Sequence, residues 1–534
     1  MTFMDKALSR LMKLPRATST YEVVRDVRIP MRDGVELLAD HYVPSGTPRG
    51  TVLVRSPYGR DGIFALLYAR PFAARGYHVL AVSCRATFGS GGVVNAFAGE
   101  AEDGADTVAF LRAQPWFTGT FATVGISYLG FNQWALLTDP PAEMVAAIIV
   151  AGPHDASELL RGTGALALQS TVGWSWAMLH QEDHGMLVGS VVAARAEGKL
   201  KPVLDGLPLR TSVRDGFDGK ATWYDAWLDH PDITDPWWDS ARHDDALERT
   251  RIPVLLCSGW YDLILEQVVE QYVALAARGV DVQLVVGPWN HAELLTKAAG
   301  MNTQDTLGWL DEHLAGDGKR LASAPVRLFV TGADEWRDLP SWPLPTTPQV
   351  LYLQPGGGLA PLASDGAATF RYDPTDPTPT VGGMSNARSA GRRDNTEHEK
   401  RPDVLTFTTP ALDADLEVLG TPSVTLDHVS DNPHADLFVR LCEVDAKGRS
   451  FNLAERFVRL SDAVERKELE LTLSPVAHRF RAGTRIRLQV SGGSHPMHDR
   501  NLGTDESPAD GATMTPSNRV LDLSACRVTL PTSR

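Results

Sequence analysis

The sequence predicts an α/β fold in which a mainly parallel β-sheet is interrupted by a helical insertion and followed by an antiparallel β-sandwich. Three observations indicate this fold. Apolar runs of strand length alternate with helix-like segments over residues 25–151, and the alternation returns at residue 251, as in βαβ units. Six of the 13 tryptophans lie in the helix-like stretch between these parts. Beyond residue 345, Pro and Gly turns separate runs of alternating polarity, which are typical of antiparallel sheets.

These boundaries divide the chain into four segments: a first sheet part (1–151), a helical insertion (152–250), a second sheet part (251–345) and a C-terminal sandwich (346–534). The first part contains short, continuous apolar runs, which are typical of strands buried on both faces: 51–54, 78–82, 122–125 and 146–150. A helix is predicted at Asp103–Gln114, behind an acidic start.

The elements of the later segments are predicted from the same sequence patterns. In the insertion, helices are predicted at Leu159–Leu168, Gly173–Leu179 and Gly189–Glu197. The sheet resumes with a strand at Ile252–Cys257, a helix near Glu266–Arg278 and a strand at Val282–Val286. In the sandwich, strands are predicted at Ser423–Leu426, Asp436–Glu443 and Arg485–Ser491. Residues 373–400, rich in Pro, Gly, Asn, Arg and Thr, are expected to form a long ordered loop or a linker that crosses the surface.

Composition narrows the class of function. The 534 residues are 43% hydrophobic and 22% charged, as in ordinary soluble domains. The net charge of −15 argues against a nucleic-acid partner, which needs a clustered basic face. No apolar run approaches the roughly 18 residues of a spanning helix, so no membrane partner is expected. Residues 1–15 are predicted to form an amphipathic helix and lack the pattern of a secretory signal.

The four cysteines favour a cytoplasmic location. Cys84, Cys257, Cys442 and Cys526 are too scattered for a disulfide scaffold or a CxxC metal site, although their even number leaves one bridge open. Gly89–Gly92 is glycine-rich but lacks the lysine of a phosphate loop, and no HExxH motif is present. We therefore expect no metal and no cofactor. The oligomeric state stays open, with a homo-oligomer as one option.

The strongest local signal is the run Gly125-Ile126-Ser127-Tyr128-Leu129-Gly130, between a predicted strand and a predicted helix. It extends the G-x-S-x-G motif by one residue, and a sharp strand-to-helix turn of this kind leaves no space for side chains beside the nucleophile. The turn would lift the Ser127 hydroxyl above the sheet. The alternative is a glycine-lined helix start with Ser127 near the N-cap.

A serine nucleophile needs a base, and the base needs an orienting acid. The strand at 252–257 runs into Asp262, and the strand at 282–286 runs into His291. After the serine, the acid and then the histidine are expected on loops that follow later strands. Asp262 and His291 occur in this order. Individually, Asp262 could cap the following helix and His291 could be a surface histidine. The other candidate bases fit this order or these strand ends less well: His154, His180, His184, His313, His495 and His498.

An oxyanion hole needs two donors. The backbone N–H of Tyr128 is the natural first donor, and the hydroxyl of Tyr58, after the strand at 51–54, is a candidate for the second. Alternatively, Tyr58 is an ordinary half-buried aromatic residue. The tryptophans of the insertion are expected mainly in its core, with some lining an apolar pocket. The tryptophans that we expect to bind substrate are Trp174, Trp176, Trp260 and Trp289.

Taken together, the motifs resemble the cocaine-esterase-like (CocE/NonD) acyl hydrolases, relatives of X-Pro dipeptidyl-peptidases and α-amino-acid ester hydrolases. The resemblance spans nearly the whole chain. Besides the turn at Gly125–Gly130, it rests on Ile29–Val35, Arg55–Tyr58, Glu102–Gly104, Gln114–Trp116, Gly259–Asp262, Gly287–His291, Asp415–Val418 and Asp499–Asn501. It implies an α/β-hydrolase body, an inserted helical cap and a C-terminal jelly roll.

The same resemblance implies roles for individual residues. Ser127, Asp262 and His291 would form the catalytic triad, with the Tyr58 hydroxyl and the Tyr128 amide as oxyanion donors. The chain departs from the family pattern at Ser83–Ala86, where many relatives have Asp-x-Arg-Gly. That departure concerns the local structure of this loop and leaves the triad unaffected.

The resemblance also bears on the substrate. α-Amino-acid ester hydrolases carry acidic residues two and three positions after the triad aspartate, where they hold the substrate ammonium. Ile264 and Leu265 occupy these positions here and cannot pair with a cation. We therefore expect a serine carboxylic-ester hydrolase for a small-molecule ester with a neutral or aromatic acyl group, with Ile264 in the pocket. The alternatives are an X-Pro dipeptidyl-peptidase with an acidic group from the cap, and an inert body whose jelly roll binds carbohydrate.

Overall fold

The computed structural model of the protein describes residues 3–183 and 198–533. Ten strands of this described chain form the sheet of the α/β-hydrolase body, in the order β1-β2-β4-β3-β5-β6-β7-β8-β9-β10. Their bounds are β1 Tyr21–Pro30, β2 Glu36–Pro44, β3 Thr51–Ser56, β4 His78–Ser83, β5 Phe121–Ile126, β6 Met144–Val150, β7 Val254–Tyr261, β8 Val282–Asn290, β9 Val326–Val330 and β10 Glu335–Leu339.

The centre of this sheet is parallel, as its apolar runs predict. Strands β4, β3, β5, β6, β7, β8 and β9 pair in parallel in that order. The sheet is extended by antiparallel β1 and β2 on one side and β10 on the other. The parallel centre brings the carboxyl ends of β5, β7 and β8 to one edge of the sheet, so the residues that follow them are neighbours.

Helices cover both faces of the body sheet. Those of the body are α1 Phe3–Leu11, α2 Gly62–Tyr68, α3 Arg70–Ala73, α4 Glu100–Arg112, α5 Tyr128–Leu137, α11 Leu265–Ala277, α12 His291–Leu294 and α13 Ala299–His313. Every residue of α5 is buried, which indicates that this helix lies between the sheet and the parts of the chain packed above it. No helix in the described part of the chain is both long and apolar enough to cross a bilayer.

The cap is inserted between β6 and β7. Its helices are α6 Ala156–Arg161, α7 Leu168–His180, α8 Leu209–Gly216, α9 Thr222–Asp229, a 3₁₀ turn at Pro236–Ala241 and α10 Asp244–Arg249. Buried Trp223, Trp227 and Trp238 share one apolar cluster with Phe97 and Phe131 of the body. The cap therefore packs directly on the body above α5.

One of the helices predicted in the cap is wrong, and another lies outside the described residues. A single helix over Leu159–Leu168 is wrong, since α6 ends at Arg161 and α7 begins at Leu168. Gly162 follows α6, and Gly164 has a φ of +79°, a left-handed conformation that stops the helix. The helix predicted at Gly189–Glu197 lies outside the described residues.

The C-terminal jelly roll is almost entirely antiparallel. Its strands are β11 Thr347–Gln354, β12 Gly358–Ala360, β13 Ala367–Tyr372, β14 Val404–Thr408, β15 Leu416–Gly420, β16 Ser423–Ser430, β17 Ala435–Val444, β18 Ser450–Leu460, β19 Lys467–Thr472, β20 Val476–Phe480, β21 Arg485–Ser491, β22 Ser517–Asp522 and β23 Arg527–Thr532. Residues 373–403 connect β13 to β14 and contain a 3₁₀ turn at His398–Lys400 and isolated β-bridges, such as the one between Gly383 and Gly391. This connection is the long ordered loop expected from the sequence.

The jelly roll is joined to the body at β9 and β10. The Thr331 N–H donates to the Ala477 carbonyl at 3.0 Å, and the Arg337 guanidinium pairs with Glu417 at 2.7 Å. A separate apolar core fills the jelly roll. All four cysteines are free and buried, so the bridge that their even number left open is not formed.

Candidate active site

Ser127 lies on a strained turn between β5 and α5. Its backbone φ is +59° and its ψ is −124°, a conformation that side-chain-bearing residues rarely adopt. The flanking glycines allow the turn, because a Cβ at Gly125 would lie 2.3 Å from the Leu129 Cβ, and one at Gly130 would lie 2.5 Å from the Gly152 Cα. Both distances are shorter than any real contact. The glycine-lined helix start is therefore present, and it also lifts Ser127 above the sheet.

The three predicted catalytic side chains meet at the carboxyl edge of the sheet. His291 Nε2 lies 3.0 Å from Ser127 Oγ, and His291 Nδ1 lies 3.1 Å from Asp262 Oδ2. Asp262 has no exposed surface, and the His291 side chain is 15% exposed. A nucleophile, a base and an orienting carboxylate are thus aligned within hydrogen-bond distance, which is the arrangement of a serine hydrolase triad.

The strand ends hold the acid and the base in place. Asp262 Oδ1 accepts the Ile264 N–H at 2.7 Å, while Oδ2 faces the imidazole. Helix α11 begins at Leu265 with Ile264 at its N-cap, so Asp262 is not the cap residue of that helix. His291 opens α12, and Asn290 and Glu293 form a capping box around it. The Ile264 N–H therefore holds the Asp262 carboxylate, and the capping box holds the backbone on both sides of His291.

Both candidate oxyanion donors lie beside Ser127. Tyr128 is the first residue of α5, so its backbone N–H has no partner within that helix. The Tyr58 hydroxyl accepts the Trp174 Nε1–H at 3.0 Å. Burial raises the pKa of Tyr58 to about 12, although hydrogen bonds with Trp174 and Ser127 oppose that rise. Tyr58 is therefore a protonated phenol at neutral pH and can donate a proton in a hydrogen bond.

A cavity of about 1620 Å³ opens above Ser127 and His291. All three parts of the chain line it: Tyr58, Phe64 and Ile264 from the body, Trp174, Trp176 and Trp227 from the cap, and Asn386, His495 and Arg500 from the jelly roll. The rings and aliphatic side chains make it an apolar site with a few polar groups, as is usual for small-molecule pockets.

The structure places the predicted substrate-binding residues in two groups. Trp174, Trp176 and Ile264 line the cavity. Trp260 and Trp289 do not line it, contrary to the prediction that they lie in the pocket. Trp260 is 2% exposed and donates to the Phe329 carbonyl at 2.6 Å, and Trp289 is 7% exposed and packs on Trp336. Both rings belong to apolar core clusters of the body.

Of the competing histidines within the described ranges, none forms a hydrogen bond with the Ser127 side chain, which pairs with His291. His154 is buried beside Gln271, at 3.2 Å, and His313 lies at the end of α13 beside Arg320. His495 lines the cavity but pairs with Asp205 at 3.0 Å. His184 lies outside the described residues. Sequence reasoning missed that the jelly roll contributes residues to the cavity. Residues between 375 and 388, in the loop at 373–400, line the cavity. The composition of this loop predicts a loop and does not show that it reaches the site.

Family comparisons agree with this architecture. Residues 33–293 match the X-Pro dipeptidyl-peptidase (S15 family) model, and residues 321–530 match the X-Pro dipeptidyl-peptidase C-terminal non-catalytic domain. The chain is 30% identical to the cocaine esterase of a Rhodococcus species, over 91% of this chain and 93% of that protein. At this identity and coverage, the likeness extends over body, cap and jelly roll.

Solved structures share the same fold. An aminopeptidase from a marine sediment archaeon superimposes with a TM-score of 0.79 at 20% identity, covering 96% of both chains. An α-amino acid ester hydrolase gives a TM-score of 0.79 at 20% identity, covering 97% of this chain and 98% of that one. The chain therefore belongs to the cocaine-esterase-like serine hydrolases, within the broader X-Pro dipeptidyl-peptidase (S15) family.

Proposed function

We propose that the protein hydrolyses carboxylic esters through an acyl-enzyme formed on Ser127. The observation that carries the proposal is the alignment of Ser127, His291 and Asp262, with 3.0 Å and 3.1 Å between their polar atoms, at the floor of an apolar cavity. The buried carboxylate fixes the imidazole with Nδ1 protonated, so Nε2 is free to accept the serine proton.

Acylation follows from this geometry. Ser127 Oγ attacks the ester carbonyl carbon while His291 Nε2 takes the hydroxyl proton, and the C=O π-bond opens to an oxyanion. Asp262 stabilises the imidazolium through the Nδ1–H bond. The Tyr58 hydroxyl and the Tyr128 N–H donate to the oxyanion. When the carbonyl re-forms, the bond to the alkoxy oxygen breaks, and the alcohol leaves with the proton from His291.

Deacylation repeats these steps with water. His291 Nε2 takes a proton from a water molecule, whose oxygen attacks the acyl carbonyl carbon. The second tetrahedral intermediate is held by the same two donors. Its collapse breaks the bond to Ser127 Oγ, which recovers its proton from His291, and the carboxylic acid is released. The triad is then restored for another turnover.

The lining favours a neutral or aromatic acyl group. Ile264 is 2% exposed and faces the cavity at the position where α-amino-acid ester hydrolases place an acid. Trp174, Trp176 and Trp227 add aromatic surface from the cap. A bound ammonium group would find no carboxylate at residue 264 and would lose its hydration shell. The similarity to a cocaine esterase is consistent with an ester substrate.

A variant lacking the nucleophile tests the proposal. Ser127→Ala is expected to abolish turnover of p-nitrophenyl acetate and benzoate while keeping the wild-type melting temperature. A fluorophosphonate probe should add its mass to the wild type at the peptide containing Ser127 and leave the variant unmodified. Wild-type turnover in the variant would overturn the assignment of Ser127. An unlabelled wild type with no esterase activity would favour the inert-body alternative.

A dipeptidyl-peptidase is a second candidate because the S15 family model matches the body. Such an enzyme needs an acid for the free N-terminus of its substrate. Among the described residues that line the cavity, Asp205 pairs with Lys201 and Asp376 pairs with Arg401, whereas Asp61 forms no ion pair with a described residue. If this alternative holds, Ala-Pro-p-nitroanilide will be cleaved faster than acyl esters, and Asp61→Asn will slow only the peptide substrate.

A further inference from the structure

We propose that the cap completes the oxyanion hole, with Trp174 acting as a positioning residue that fixes the hydroxyl of Tyr58. The inference rests on the proposed ester hydrolysis. It adds Trp174, whose indole N–H contacts Tyr58 and not the reacting atoms. The decisive contact is the hydrogen bond of 3.0 Å from Trp174 Nε1–H to the Tyr58 oxygen. It joins a cap helix, α7, to the loop that follows β3.

The chemistry of the two groups sets the direction of this bond. An indole N–H can only donate, whereas a phenol oxygen can both accept and donate. Because Trp174 occupies an acceptor position of the Tyr58 oxygen, the phenolic proton must point elsewhere. Tyr58 and Ser127 line the same cavity. We infer that the proton of Tyr58 points into the part of this cavity beside Ser127, where the oxyanion would form.

The bond also strengthens the donor. A phenol whose oxygen accepts a hydrogen bond becomes a better donor through its own O–H, because the two bonds polarise each other in a low-dielectric site. Tyr58 is well suited to this effect, since it is a neutral phenol in an apolar setting, stacked on Phe64 at 5.2 Å. The transition state, in which the carbonyl oxygen becomes negative, gains more from this polarisation than the neutral ester does.

Trp174 is held firmly enough to position its partner. Its ring lies 6.2 Å from that of Tyr128 with 7° between the planes, and 5.9 Å from Phe97, both on the body. Trp223 and Trp227 pack on it from the cap, each at 5.9 Å. Aromatic packing on both sides limits the rotation of the indole.

A second contact ties the same cap helix to the same loop. Gln181, which follows α7, donates through Nε2 to the Pro57 carbonyl at 2.9 Å. Pro57 immediately precedes Tyr58, so the cap contacts this loop at both the backbone and the hydroxyl. A displaced cap would break both bonds and leave Tyr58 without a fixed orientation. The oxyanion hole is thereby coupled to the seating of the cap.

A double-mutant cycle tests this role. Tyr58→Phe is expected to lower kcat about 10²–10³-fold. Trp174→Phe, which keeps an aromatic ring and removes the N–H, is expected to lower kcat up to about tenfold, as for a hydrogen bond, with little change in KM. In the Tyr58→Phe background, Trp174→Phe should change kcat less than about twofold, because its partner is already absent.

Trp238→Phe is the matched control. Trp238 also donates an indole hydrogen bond, at 3.2 Å to the His230 carbonyl within the cap, but its ring packs on Trp237 and it does not line the cavity. This variant should retain the wild-type kcat. A general loosening of the cap would instead lower kcat in both tryptophan variants. Equal losses in both, or an undiminished loss from Trp174→Phe in the Tyr58→Phe background, would overturn the positioning role.

The remaining outcomes separate this inference from the proposed function. If Tyr58→Phe lowers kcat and Trp174→Phe does not, the tyrosine is a donor that needs no cap contact, and the positioning role is wrong. If Tyr58→Phe leaves kcat unchanged while Ser127→Ala abolishes it, the tyrosine is not the donor, and the inference fails although ester hydrolysis stands. If Ser127→Ala remains active, the proposed function itself fails.

Discussion

Arg55 Nη2 lies 2.6 Å from Glu100 Oε2 in an ion pair buried directly behind the candidate oxyanion donors. The same carboxylate accepts the Tyr128 hydroxyl through Oε1 at 3.1 Å. Arg55 belongs to β3, just before the loop of Tyr58, and Tyr128 opens α5. One carboxylate at the start of α4 thus links the two segments that carry the donors.

We expect Glu100→Gln to lower both stability and kcat. Breaking a buried pair leaves Arg55 charged without its carboxylate, which costs about 3–5 kcal/mol of unfolding free energy. The donors lose their common anchor, so kcat should fall as well. Urea denaturation and ester kinetics measure the two effects. Glu102→Gln, on an exposed side chain of the same helix, is the matched control and should change stability by less than about 0.5 kcal/mol.

Asp262→Asn should lower kcat by about 10⁴-fold and leave the fold intact. The asparagine amide can present an N–H to His291 Nδ1, which favours the imidazole tautomer with its proton on Nε2. That tautomer cannot take the Ser127 proton. Stopped-flow measurement of acylation with a p-nitrophenyl ester reports the step directly. A loss smaller than tenfold would show that Asp262 does not orient the base.

The placement of the candidate triad could be predicted from the sequence because each of its three residues follows a segment with a recognisable local pattern. Buried parallel strands are continuous apolar runs, so β5, β7 and β8 were identifiable, and Ser127, Asp262 and His291 directly follow them. The strained turn at Ser127 requires small flanking residues, which the glycines at 125 and 130 supply. Strand order and the parallel register then bring these loops together.

Other features depend on contacts between distant segments and leave no such mark. Whether a tryptophan beside a catalytic loop faces the cavity depends on strand register, and Trp260 and Trp289 turned out to face the core. The hydrogen bond from Trp174 to Tyr58 joins residues 116 positions apart. Nor does any local pattern show that the loop at 373–400 reaches the site from a third domain.

Asp305 should make the protein less stable as the pH rises. This carboxyl, on α13, is buried near Cys257, and burial raises its pKa to about 6 from an ordinary value of 3.8. Between those values the folded state keeps a proton that the unfolded state has released, so stability falls as the pH passes through this window. The penalty is complete above about pH 6.

The variant Asp305→Asn removes this penalty. A shift of about two pKa units corresponds to about 3 kcal/mol, so the variant should exceed the wild type by up to that amount at pH 8. Below pH 4 the difference should largely vanish, because both proteins then carry a neutral group at this position. Denaturation midpoints at pH 4, 6 and 8 measure the trend. Parallel curves for the two proteins would rule out Asp305 as its source.

Ala86→Gly should stabilise the protein. The φ of Ala86 is +55°, in the left-handed region that costs a residue with a Cβ about 1 kcal/mol. Glycine would relieve this strain, and we expect a gain of up to about 1 kcal/mol in unfolding free energy. Ala109→Gly is the matched control, because Ala109 is exposed within α4, where glycine costs about 1 kcal/mol. Guanidinium denaturation should therefore shift the midpoints of the two variants in opposite directions. A destabilised Ala86→Gly variant would show that contacts of the Ala86 methyl group outweigh the backbone strain.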